Sequence, residues 1–185
     1  MKKTYRSPAR LLTPDYVFPT FDAITPEFLS ERGIRALLID IDNTLAPYEE
    51  PDPSPKILNW FAELEKAGIR AALVSNNHVP RVERFNKPLG LIAYPDSGKP
   101  SRKTLERAMK ELGVSHAETA MLGDQLLTDC FAGKHIGLRA IIVPPIKDKI
   151  NLFFRSKRLL ERPFIRKYAR KNGYQPWMRF WKVKK

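Results

Sequence analysis

Residues 34–44 read IRALLIDIDNT, an apolar run that ends abruptly in Asp40, Asp42, Asn43 and Thr44. The run is too short for an ordinary helix and does not alternate, which is the pattern of a strand covered on both faces. Similar runs stand at 69–74 (IRAALV), 89–93 (LGLIA), 119–122 (TAML) and 138–143 (LRAIIV). Helical spacing fills the gaps. Pro55 to Ala67 aligns Ile57, Trp60, Phe61 and Leu64 after a proline-rich start. Ser101 to Leu112 aligns Leu105, Ala108, Met109 and Leu112, with Gly113 as the stop. Weaker helices are expected near 79–87 and 126–135. Strand–helix alternation predicts an α/β fold, a Rossmann-like and mostly parallel sheet flanked by helices. Chemistry in such folds gathers beyond the carboxyl ends of the strands.

Polar residues with chemical capability stand at those ends. The first run is followed by Asp40 and Asp42, the second by Ser75-Asn76-Asn77-His78, the third by Asp96 and Lys99, and the fourth by Gly123-Asp124 with Asp129 close behind. Two residues apart on an extended strand, Asp40 and Asp42 point to the same side. Close carboxylates repel unless a cation lies between them or one holds a proton. Asp124 adds an oxygen from another strand, and few protein oxygens with room for water and phosphate suit Mg²⁺ better than Ca²⁺. Ser75 can donate to a phosphoryl oxygen and Lys99 can neutralise its charge, which suits phosphoryl transfer. Singly, each of these residues reads as a turn, a cap or an exposed side chain. Their joint order favours the chemistry. His78, His116 and His135 have no metal-like spacing and read as structural or surface residues, and Cys130 reads as core.

In that order the motifs resemble the haloacid dehalogenase superfamily of phosphatases, over roughly residues 34–143. DIDNT is similar to the first motif, Ser75 after LV to the second, Lys99 to the third and GDQLLTD to the fourth. The commoner first motif has Gly where this chain has Asn43, a residue that tolerates unusual backbone angles. The resemblance implies Asp40 as nucleophile, forming an aspartyl-phosphate, and Asp42 as acid and base. It implies Mg²⁺ on the Asp40 carboxylate, the Asp42 carbonyl and Asp124. Ser75, Lys99 and Asn76 would hold the phosphoryl group, with Asp129 and Thr44 supporting from behind. The stretch 11–48 further resembles a capless YqeG-like bacterial subfamily, similar to mitochondrial phosphatases acting on phosphatidylglycerophosphate. That likeness implies a lipid phosphate monoester cleaved at a membrane surface.

Length and charge bound the rest. A chain of 185 residues with 43% apolar residues suits one ordinary domain and excludes disorder throughout. One cysteine excludes an internal disulfide framework and fits a reducing compartment. No apolar run approaches the roughly 18–20 residues of a membrane span. The N-terminal MKKTYRSPARLL lacks the apolar stretch of a leader. Thirty residues separate Thr44 from Ser75 and 23 separate Ser75 from Lys99. A cap domain needs roughly 50, so an uncovered site open to large substrates is expected.

The net charge of +13 divides as +4 over residues 1–14, −3 over 15–146 and +12 over 147–185. A phosphatase domain at 1–146 and a basic amphipathic extension at 147–185 are therefore expected. The extension holds eight of the 19 aromatics: Phe153, Phe154, Phe164, Tyr168, Tyr174, Trp177, Phe180 and Trp181. Its apolar positions, Ile150, Phe153, Phe154, Leu159 and Leu160, lie beside Arg155, Lys157 and Arg158. That pattern suits an anionic membrane, and it also suits nucleic acid or plain packing against the body. The expectation is a cytoplasmic Mg²⁺-dependent phosphatase, peripheral on the inner face of the membrane, acting on a phosphorylated lipid. A phosphatase for a nucleic-acid end or phosphoprotein, and an RNA-binding protein with little turnover, are the alternatives.

Overall fold

A computed structural model describes residues 8–147, 152–176 and 178, the side chains of residues 8 and 152–155 excepted. Six parallel strands form one sheet: β1 (Tyr16–Val17), β2 (Ala36–Ile39), β3 (Arg70–Val74), β4 (Ile92–Tyr94), β5 (Thr119–Gly123) and β6 (Arg139–Ile142), in the order β1-β6-β5-β2-β3-β4. Every apolar run of the sequence supplies a strand. The two-residue β1 went unforeseen because it is too short to carry a period. Asp15 secures its start, its carboxylate accepting from the Ala140 amide at 2.8 Å and pairing with Lys134 at 2.6 Å.

The helices are α1 (Pro8–Leu11), α2 (Pro26–Glu31), α3 (Pro55–Lys66), α4 (Val79–Asn86), α5 (Lys103–Leu112), α6 (Phe131–His135) and α7 (Leu152–Asn172). Side chains alternate across β2: Leu37 and Ile39 enter a core layer with Trp60 of α3 and Phe85 of α4, while Ala36 and Leu38 face α5 and α6 through Leu105, Met109 and Ala132. The faces predicted for α3 and α5 are the buried ones. Trp60 also donates its indole N–H to the Ile24 carbonyl at 2.9 Å, tying the N-terminal segment over the core. Gly113 ends α5 at φ 64°, a left-handed conformation that costs a residue with a Cβ.

Two differences from the sequence reading bear on the site. The helix expected at 126–135 begins as a wide π-helical turn, Leu126–Cys130, before α6; such turns recur at functional sites. The charge boundary at 146/147 is also not a boundary in packing. Ile165, Ala169 and Met178 share a core cluster with Val17, Leu126, Cys130 and Ile142, and the Tyr168 hydroxyl accepts from the Val17 amide at 3.2 Å. Apolar burial of Ile165 and Ala169 costs little desolvation because their basic neighbours Arg166, Lys167, Arg170 and Lys171 stay exposed. The expectations for Ile150, Trp177, Phe180 and Trp181, and for the side chains of Phe153, Phe154 and Arg155, lie outside the described residues.

Candidate active site

The chain runs from β2 outward through β3 to β4, then crosses back to β5 on the other side of β2. Loops leaving β2 and β5 therefore diverge and open a crevice between their carboxyl ends. Asp40 stands at one lip and Asp124 at the other. Between 44 and 75 the chain forms only α3 and β3, and between 75 and 99 only α4 and β4.

Asp40, Asp124 and Asp129 bring one carboxylate oxygen each within 4.8 Å of one another, and all three are buried. Lys99 Nζ lies 2.7 Å from Asp40 Oδ1 and 2.8 Å from Asp129 Oδ1, its side chain 1% exposed. Burial raises the Asp40 pKa to about 8; Lys99 opposes the shift, while Asp129 and Asp124 add to it. Burial likewise raises Asp124 to about 6, opposed by Arg158 and aided by Asp129. Burial pulls the Lys99 ammonium down, but Asp129 and Asp40 outweigh it and hold the group above the ordinary lysine value. Three crowded carboxylates with one lysine between them form a hard, oxygen-rich donor set. Asp124 Oδ1 is buried with no hydrogen-bond partner among the described residues. Both observations fit a divalent cation.

Asp42 sits beside this cluster but outside it. Its Oδ2 accepts from Asn77 Nδ2 at 2.9 Å, and its Oδ1 from Arg81 Nε at 3.3 Å. Those two donors hold the carboxyl toward the β3 side, so Asp129 supplies the third clustered carboxylate. The expected contribution of Asp42 to a metal was its backbone carbonyl. The local backbone is shaped by Asn43 at φ 63°, the left-handed conformation for which Asn substitutes for Gly. The Asn43 amide donates to the Ala46 carbonyl at 2.7 Å, and its own carbonyl accepts from Ile146 at 3.1 Å.

Asp40, Asp42, Ser75, Asn76, Lys99 and Asp129 line one pocket of about 280 Å³, together with Tyr48, Asn77, Gln125, Thr128 and Lys157. Ser75 Oγ accepts from the Asn77 amide at 3.1 Å. Asn76 borders the pocket, yet its amide is engaged elsewhere. Its Oδ1 accepts from Ser97 Oγ at 2.7 Å and the Lys99 amide at 2.8 Å, and its Nδ2 donates to the Lys99 carbonyl at 2.9 Å. Asn76 thus braces the lysine loop. Thr44 borders a different cavity, with Phe21 and Val143, and its hydroxyl is buried with no hydrogen-bond partner among the described residues. His78 is a surface residue whose Nδ1 lies 2.7 Å from Asp96, and Cys130 is fully buried.

Residues the sequence reading missed surround the predicted ones: Tyr48, Asn77, Arg81, Arg158 and Glu161. Asn77 and Arg81 left a signal, for both follow a strand end within one turn of a helix start. Arg158 left none, being one basic residue among many.

The comparisons with known proteins bear on this geometry. A family model described as haloacid dehalogenase-like hydrolase matches residues 20–137. The chain belongs to the haloacid dehalogenase-like hydrolases. It is of the YqeG-like kind: it is similar to "Probable phosphatase YqeG" of Bacillus subtilis (strain 168), 33% identical over 168 residues that cover 91% of this chain and 97% of that protein. Among solved structures, an uncharacterized protein from Listeria monocytogenes serotype 4b superposes with a TM-score of 0.51 at 14% identity, covering 64% of this chain and 85% of that one. The cobalt-bound deoxy-D-mannose-octulosonate 8-phosphate phosphatase of Haemophilus influenzae gives 0.51 at 19% identity, covering 62% and 70%. These structures share the fold with the hydrolase described above.

Proposed function

We propose that this haloacid dehalogenase-like hydrolase is a Mg²⁺-dependent phosphomonoesterase that works through an aspartyl-phosphate, with phosphatidylglycerophosphate at a membrane surface as its substrate. The observation that carries the chemistry is the buried Asp40–Lys99–Asp129 arrangement beside Asp124, opening into a pocket that Asp42 and Ser75 also line. Asp40, Asp124 and the Asp42 carbonyl would hold the cation, with Asp129 beside them. Bound there, Mg²⁺ supplies charge to a phosphoryl group and to the carboxylates around it.

The remaining steps belong to the chain. An Asp40 carboxylate oxygen attacks phosphorus, the bond to the leaving oxygen breaks, and Asp42 gives that oxygen a proton. Asp42 then takes a proton from the incoming water. The water oxygen bonds to phosphorus, the acyl-phosphate P–O bond breaks, and Asp40 is regenerated. Asn77 and Arg81 fix the Asp42 carboxyl for both transfers. Lys99 and Ser75 hold the phosphoryl oxygens, and Asn76 keeps the Lys99 loop in place.

Exposed chemistry around the site supports the lipid reading. Among the described residues the exposed large hydrophobics are Val79, Ile146, Leu159 and Leu160. Val79 begins the helix after β3, Ile146 follows β6, and the two leucines follow Arg158 in α7. The outer face of α7 adds Arg162, Arg166, Lys167, Arg170 and Lys171 to them. Exposed apolar side chains together with exposed basic ones suit an anionic bilayer. No helix among the described residues is long and apolar enough to cross one.

The test is phosphate release across a panel of phosphomonoesters that includes phosphatidylglycerophosphate in vesicles, with Mg²⁺ and an Asp40→Asn control. Mg²⁺-dependent release from the lipid, lost in the control, is the expected result. Turnover of a nucleic-acid end or phosphoprotein with the lipid untouched would overturn the substrate, and full activity in Asp40→Asn would overturn the mechanism.

A further inference from the structure

The Asp124 carboxylate is gripped from an element far along the chain. Arg158, on α7, donates through Nη2 to Asp124 Oδ2 and through Nη1 to the Asp124 carbonyl at 2.7 Å. The same Nη1 donates to Glu161 Oε2 at 2.9 Å, one helical turn away. Glu161 is fully buried, and its other oxygen accepts from the Leu126 amide at 2.8 Å. One turn of α7 thus holds the side chain and the carbonyl of Asp124 together with the amide two residues on. Burial pulls the Arg158 guanidinium down, but Asp124 and Glu161 outweigh it and keep it charged. Ile165 and Ala169, buried farther along α7, hold the helix against the body.

From this grip we infer that Arg158 is a positioning residue for the divalent cation: by occupying Asp124 Oδ2 it fixes the carboxyl so that Oδ1 is presented to the metal. The inference rests on the cation site proposed above. The physical warrant is the division of labour between the two oxygens. Oδ2 is taken by the guanidinium, whereas Oδ1 is buried without a hydrogen-bond partner among the described residues. Without Arg158 the carboxyl can turn, and its rotational freedom is lost on binding the ion. Partners that orient a ligand in this way are typically worth about 10–100-fold in metal affinity. The sign is diagnostic, because Coulomb's law alone gives the reverse. Removing a positive charge beside a cation site should tighten the cation.

The test is titration of the substrate-free full chain with MgCl₂, read by calorimetry and by the Mg²⁺-dependent rise in thermal midpoint. Metal-free melting serves as the check on folding. Arg158→Gln should weaken Mg²⁺ binding by about 10–100-fold. Arg158→Lys keeps the charge but cannot span carboxylate and carbonyl together, so it should recover only part of the affinity. Glu161→Gln retains an acceptor for the Leu126 amide while loosening Arg158, and it should weaken Mg²⁺ several-fold. Glu161→Gln decides the matter if Arg158→Gln does not fold. Unchanged or tighter Mg²⁺ binding in Arg158→Gln, or in Glu161→Gln where that variant decides, overturns the inference, and tighter binding would show that the guanidinium stands in the cation's way. Full wild-type affinity in Arg158→Lys overturns it too, by making charge the cause. A wild-type chain that takes up no Mg²⁺ instead overturns the cation site itself, and the inference with it.

Discussion

Gly123 shows how tightly the site is built around single residues. A Cβ placed on it would lie 2.3 Å from Asp129 Cγ, so only glycine lets the end of β5 pass the carboxylate that pairs with Lys99. Gly123→Ala should therefore lower stability by about 1–3 kcal/mol, the usual cost of overpacking, and displace Asp129. Urea unfolding reads the first effect, and loss of Mg²⁺-dependent turnover reads the second. If Asp40 is the nucleophile as proposed, Asp40→Asn should cut turnover by a factor on the order of 10⁴ or more while the protein still folds, because a nucleophile acts as part of a unit. Asp40 also sets a pH dependence. Its folded pKa of about 8 stands above the ordinary carboxylate value of about 3.9, so the folded state holds a proton there that the unfolded chain has released. That contribution to stability is complete below the lower value and is lost as pH rises through the upper one. The thermal midpoint of metal-free protein should fall between pH 6 and roughly 8.5, and saturating Mg²⁺ should flatten the slope. A midpoint that rose with pH over that range would contradict the assignment.

Helix α7 joins the basic end of the chain to the catalytic crevice. Its inner side carries Ile165 and Ala169 into the core and Glu161 to the Leu126 amide, while its outer side carries Lys167, Arg170 and Lys171. Were it a solvated appendage, Ile165→Ala would leave stability nearly unchanged. Because Ile165 is fully buried, that substitution should cost about 2–5 kcal/mol in denaturant unfolding. It should also loosen the Arg158 grip on Asp124 as the helix lifts. The π-helical turn Leu126–Cys130 lies beneath α7, and it brings Asp129 Oδ2 to within 3.1 Å of the Gln125 amide.

Taken as one body, the molecule ties its basic helix α7, which carries the exposed Leu159 and Leu160, to the candidate site at the carboxyl edge of the sheet through Arg158 and Asp124. Under the proposed function, such an arrangement would let a substrate phosphate enter while the rest of the substrate stays in an apolar, anionic layer. Replacing Leu159 and Leu160 with Ser should weaken co-sedimentation with anionic vesicles by at least about tenfold, given roughly 1.5–3 kcal/mol for each leucine fully removed from water. Turnover of a small water-soluble phosphomonoester should be unaffected. Binding of the wild-type chain should also fall with added salt, since each basic residue near the surface contributes about 1 kcal/mol that salt screens. Vesicle binding indifferent to both changes would count against this surface.

Much of this architecture was legible in the sequence, and the reason is local. The runs at 34–39, 69–74 and 119–122 are long enough to show that they are buried on both faces, and Asp40, Ser75 and Asp124 follow them within two residues. Thus Asp40, Ser75, Lys99, Asp124 and Asp129 could be singled out, and Asn43 could be expected to take its left-handed turn. What could not be read were relations between distant elements whose local patterns are silent. The two residues of β1 have no period, and they become a strand only against β6. That the Asn76 amide also braces Ser97 and Lys99 appears only when the fold brings them together. That Thr44 borders a second cavity could not be read either. Arg158 is indistinguishable from its basic neighbours until α7 packs and sets it, 34 residues along the chain, on Asp124. Residue type and order determine which groups arrive at the edge of the sheet, since hydrophobic period places the strands. Which of those groups touch one another is decided by how the helices close over that edge, because a hydrogen bond or ion pair depends on separations that no run of sequence contains.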